Sequence, residues 1–119
     1  MERSLKPDMV SFGVMEKAPQ PAILDLTHLE AMTFGDRGLQ DEVLRLFLAQ
    51  VRSLRERLAE GAQDALAVHS IKGAARGVGA GAVAAAAERV EQAEVGAVAD
   101  LDAALAAAET AIAAHLQSF

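Results

Sequence analysis

Residues 36–61 read DRGLQDEVLRLFLAQVRSLRERLAEG. Val43, Leu44, Phe47, Val51, Leu54 and Leu58 return every three or four residues, the period of one buried helix face. Asp36 stands where an N-cap belongs and Gly61 where a helix ends, so the spacing predicts a helix over 36–59. Working outward, Leu26–Met32 reads as a short helix ending at Phe34-Gly35. Its cap is Asp25 or Thr27, with Glu30 at capping-box distance from Thr27. Downstream, Asp64 starts a helix to about Val78 through Ala67, Ile71, Ala74 and Ala75. Gly77, Gly79 and Gly81 then read as a turn region. A further helix is expected over 82–94, with Val83, Ala87 and Val90 inward and Gly96 closing it. The last, over 98–116, carries Leu101, Leu105, Ala108 and Ile112 at helical spacing. The Ala84–Ala87 tract is in phase with Val83 and Val90 and reads as core helix.

Composition agrees. Of the 119 residues, 52% are apolar and 24% charged, a foldable balance with room for one core. All three prolines, Pro7, Pro19 and Pro21, precede the first helix, so residues 1–21 read as a flexible tail and 22–119 as the folded domain. The fold class expected is all-α: an up-down-up-down antiparallel four-helix bundle with a short extra N-terminal helix. Cysteine is absent, which removes disulfides, thiolate metal sites and thiol nucleophiles. A net charge of −6 argues against nucleic acid or an anionic membrane as partner. No apolar run approaches the roughly 20 residues of a membrane helix. The patch at Met9–Met15, broken by Ser11 and Gly13, lacks a cleavage site, so no signal peptide is expected. A cytoplasmic, acidic monomer is the reading.

Chemistry concentrates in one segment, His69-Ser70-Ile71-Lys72-Gly73-Ala74-Ala75-Arg76-Gly77-Val78-Gly79-Ala80. With Ala67, Ile71, Ala74, Ala75 and Val78 inward, a rotation of about 100° per residue turns His69, Lys72, Gly73 and Arg76 outward. Gly73 is informative: glycine inside a helix costs about 1 kcal/mol against alanine, and this chain uses alanine freely. One turn from His69, it leaves space beside the imidazole that suits the surface of another protein. If the helices flanking position 80 are antiparallel, His69 and Glu91 stand level, each eleven residues from that centre. Glu91 would then accept from one imidazole nitrogen and leave the other as nucleophile. Gln92 is the alternative if the turn slips by a residue. A positioned neutral imidazole with Lys72 and Arg76 nearby suits attack on a phosphoryl group. No phosphate loop or acidic Mg²⁺ cluster is present, so the donor belongs to a partner. Arg52, Arg55 and Arg57, interleaved with Glu56 and Glu60, read as a charged outer face. His28 and His115 receive no metal or catalytic role.

At these residues the chain resembles the histidine phosphotransfer (HPt) family of bacterial phosphorelays. His69, Ile71, Lys72, Gly73, Ala74 and Ala75, then Val78, Gly79 and Ala80, follow the family pattern. Val90-Glu91 downstream and Phe34-Gly35-Asp36 upstream extend the likeness over 22–119. The resemblance implies His69 as phosphoacceptor, Lys72 as charge-balancing lysine, Gly73 as docking glycine and Glu91 as the residue orienting the imidazole. Two positions depart from it: Ala74 where serine is frequent, and Glu91 where glutamine is frequent. It implies a phosphoryl carrier without kinase activity or cofactor, any Mg²⁺ being held by the partner. The partners implied are response-regulator receiver domains and a hybrid or upstream histidine kinase. The alternative is a helical adaptor that docks on such domains and transfers nothing.

Overall fold

A computed structural model describes residues 21–118. Apart from Pro21, the expected tail lies outside the described residues. Within them are five helices and no strand: α1 Leu26–Met32, α2 Arg37–Ala59, α3 Ala65–Val78, α4 Gly81–Glu91 and α5 Ala97–Gln117. The all-helical expectation therefore holds.

The helix starts follow local chemistry. The carboxylates of Asp25, Asp36 and Asp64 accept the backbone N–H of His28, Leu39 and Ala67, each satisfying a donor that the first turn leaves unpaired. Asp25, not Thr27, caps α1, so the capping box expected from Thr27 and Glu30 does not form. The helix ends depart further from expectation. Helix α4 stops at Glu91, three residues short of the expected 94, because Ala93 takes φ 58°. The Ala93 N–H bonds Val90 and the Glu94 N–H bonds Arg89, closing the helix without a glycine. Gly96 opens α5 rather than ending α4. Gly77, expected in the turn, is an interior residue of α3, and Gly81 is the first residue of α4. Gly79 alone reverses the chain, at φ 89°.

Helix α2 packs on α3 and α5, α4 packs on α3 and α5, and α1 lies against α3. Between them lies a core of small and aliphatic side chains. Leu44, Phe47, Val51 and Leu54 enter from α2; Val68, Ile71 and Ala75 from α3; Val83, Ala84, Ala86 and Ala87 from α4; Leu101, Leu105, Ala108 and Ile112 from α5. The alanine tract is core, as its phase implies.

Two sets of polar contacts fix the frame. Arg52 and Arg55 stand on an outer face, as expected, and are paired there: both bind Glu109, and Arg55 reaches Asp102, tying α2 to α5. Arg57 pairs with Asp64 across the α2–α3 loop. At the other end, the chain before α1 straps onto the α3–α4 turn. The Asp25 N–H donates to Gly79 O at 2.8 Å and the Ala82 N–H to Ala22 O at 2.8 Å. His28, without an assigned role in sequence, stands with Nε2 3.2 Å from Gly77 O in the last turn of α3.

Gly79 is the most constrained point of this strap. A Cβ there would lie 2.9 Å from Asp25 O, and its φ is one that L residues disfavour by about 1–2 kcal/mol. Gly79→Ala is therefore expected to destabilise the protein by at least that amount in chemical unfolding, and to speed amide exchange at Asp25 and Ala82. Unchanged exchange at both amides would show that the strap does not depend on this residue.

Candidate functional site

Helices α3 and α4 run in opposite directions along their shared seam. Partners pair as His69 with Glu91 and Arg76 with Glu88, so rising numbers on one helix meet falling numbers on the other. The single-residue reversal at Gly79 sets this register. It places Glu91, of the two alternatives, beside His69, while Gln92 turns to Glu88, with its Nε2 3.4 Å from Oε2.

The Glu91 carboxylate is divided between two partners. Oε2 lies 2.8 Å from His69 Nδ1, and Oε1 accepts from Lys72 Nζ at 2.5 Å. A carboxylate only accepts, so the Nδ1 it faces carries the proton in the neutral ring, and Nε2 keeps its lone pair. Exposure follows the same division. The side chain of His69 is 69% exposed, that of Glu91 26% and that of Lys72 16%. Lys72 lies along the α3–α4 seam with its ammonium held, while the imidazole stands in solvent. Lys72, and after it His69, hold the Glu91 carboxyl below the usual carboxylate range, by hydrogen bonds that favour its ionised form.

Around the imidazole the surface is low. A Cβ built on Gly73 meets nothing within 4 Å, nor does one on Gly77, a turn further along the same face. Arg76, on the same stripe, is bound to Glu88 at 2.6 Å. Two leucines that the sequence reading did not single out flank this strip. Leu66, one turn before His69, is 78% exposed, and Leu46 on α2 is 67% exposed. Leu46 lies one turn before Gln50, whose amide donates to Ser70 Oγ at 3.1 Å. The signal available was phase: both leucines fall off the apolar stripe of their own helices.

A cleft of about 670 Å³ lies between α2 and α5, lined by Arg52, Arg55, Val98 and Asp102 and away from His69. Among the described residues no group of three or more His, Asp or Glu is placed to hold a metal ion, and no helix is long and apolar enough to cross a membrane.

No curated protein and no solved structure matches the chain. The Hpt domain family does, over residues 42–118, a span holding most of α2 and all of α3, α4 and α5. Well over half of the sequence lies inside that match, with His69, Lys72, Gly73 and Glu91 all within it. The chain belongs to the Hpt domain family, whose members are phosphocarrier modules rather than kinases.

Proposed function

We propose that this protein carries a phosphoryl group on Nε2 of His69, accepting it from a receiver-domain aspartate and passing it to another receiver domain. The observation that carries this reading is the His69–Glu91 bond: it occupies Nδ1 and leaves an exposed Nε2 lone pair beside open backbone. In the forward step the lone pair forms the N–P bond as the acyl-phosphate P–O bond breaks, and the aspartate carboxylate leaves. Lys72, one turn from the ring, offers its ammonium to the incoming charge, and Arg76 adds to the positive side of the same stripe. Any Mg²⁺ is held by the receiver, and the carrier needs no cofactor of its own. The four longer helices are read as an up-down-up-down antiparallel bundle, supported by the opposed pairings across the α2–α3, α3–α4 and α2–α5 seams. A cytoplasmic monomer meeting receiver and kinase domains one at a time fits this role.

The docking surface proposed is the strip from Leu66 past His69 to Gly73 and Gly77, with Leu46 at its side. Apolar residues exposed next to bare helix backbone allow a partner's side chains to approach the imidazole closely.

Incubation with a phosphorylated receiver domain is expected to leave acid-labile, base-stable phosphate on His69. His69→Gln abolishes it with little change in thermal midpoint, since the side chain is exposed. No such phosphate on the wild-type protein would leave only the docking adaptor. Gly73 separates docking from chemistry. Gly73→Ala fills open space in ordinary helix, so it stabilises by about 0.4–1 kcal/mol while slowing transfer from a receiver. Gly73→Leu slows that transfer much more, yet leaves phosphorylation by phosphoramidate intact. Equal loss with both donors would assign Gly73 to the imidazole's own geometry.

A further inference from the structure

We propose that the Glu91 carboxylate holds the Nδ1 proton on His69 throughout the phosphorylated state, so that the phosphoryl group always departs from a neutral imidazole. This rests on the phosphocarrier reading and concerns the ring while Nε2 bears phosphorus.

When the Nε2 lone pair takes the phosphoryl group, the ring still carries its Nδ1 proton and becomes a cation. If water removes that proton, the next transfer must expel an imidazolate, a far poorer leaving group. If the proton stays, the N–P bond breaks with its electron pair returning to Nε2, and neutral imidazole with Nδ1–H remains. No proton then enters or leaves the site in either direction. An amide in this place also accepts from Nδ1–H and fixes the same tautomer, but brings no charge against the ring cation. A carboxylate oxygen at 2.8 Å brings a full negative charge against the ring cation.

The surroundings leave this role to Glu91. The ring meets Glu91 from α4, whose other oxygen takes Lys72 of α3; Arg76 of α3 and Glu88 of α4 pair further along the seam, and α2 brings uncharged Gln50 to the neighbouring Ser70. Glu88 is spent on Arg76, and Arg57 of α2 on Asp64. From α1, His28 lies at Gly77, two turns along α3 from His69. The acids of α5 pair with Arg52, Arg55 and Arg89 on other seams. Lys72 and His69 compete for one carboxylate, each on its own oxygen. As the phosphoryl oxygens draw the Lys72 ammonium toward them, Glu91 is left to the ring cation.

The experiment phosphorylates the full chain with phosphoramidate, follows N–P by ³¹P NMR, and measures transfer to a receiver domain from pH 5 to 9. Wild type, Glu91→Gln and Lys72→Met are compared. In Glu91→Gln the alkaline fall in transfer rate is expected to move down by about one pH unit or more, with the thermal midpoint reporting whether the fold is intact. In Lys72→Met, with the competitor gone, the fall moves up. Coincident midpoints in wild type and Glu91→Gln, or a downward move in Lys72→Met, would overturn the inference while the carrier reading stands. Absence of phosphate on His69 in the wild type would overturn both.

Discussion

The left-handed backbone at Gly79 is the constraint on which the rest of the site depends. One residue at φ 89° turns the chain back on itself, so α3 and α4 leave the same point in opposite directions with no slack between them. Their register is then fixed, and His69 and Glu91, each eleven residues from position 80, meet across the seam. That is why one pair across this seam is an imidazole and a carboxylate. The strap before α1 bonds to the same glycine through Asp25, and a side chain at position 79 would strike it. The turn and the strap therefore stabilise each other, at the end of the helix that bears His69.

Electrostatics at the site is local and self-contained. The seam opposes charge across its width: Lys72 and Arg76 on one helix face Glu91 and Glu88 on the other, paired at 2.5 and 2.6 Å. A surface built this way is close to neutral before any phosphate arrives, in a chain with a net charge of −6. Charge that is paired at the surface is cheap to re-pair, because water screens what the partners lose. In the transfer proposed above, Arg76, whose side chain is 57% exposed, can thus turn to a phosphoryl group at little cost.

Much of this was legible in the sequence, for reasons that differ by residue. The helices announced themselves because their apolar residues keep one period over three or more turns, as Leu101, Leu105, Ala108 and Ile112 do. The level pairing of His69 with Glu91 was legible because it needs only a turn centre and a helical rise. The end of α4 was not, since the residue in the left-handed conformation is Ala93, and alanine carries no signal for it. Gly77 misled for the opposite reason: it looks like a turn residue but serves as bare surface on α3. The partners of Arg52 and Arg55 were not legible because Glu109 and Asp102 lie some fifty positions away, and only packing of α2 on α5 brings them together. Choosing Glu91 over Gln92 required the true turn, as one residue of slip rotates the helix by about 100°.

Fold and chemistry occupy different faces of the same helix. On α3, Val68, Ile71, Ala75 and Val78 are buried, and they alternate in sequence with His69, Lys72, Gly73 and Arg76. Burial of apolar surface stabilises the first set, while the second adds little to the core and in Gly73 detracts from helix stability. A helix with a fully satisfied inner face can carry such a cost outside. The neighbouring alanines contribute to that margin, since Ala75, Ala84 and Ala87 are buried where helix backbones approach closely. The bare outer surface at Gly73 is thus set against a tightly packed inner one, and the imidazole stands between them on the seam where Glu91 can reach it.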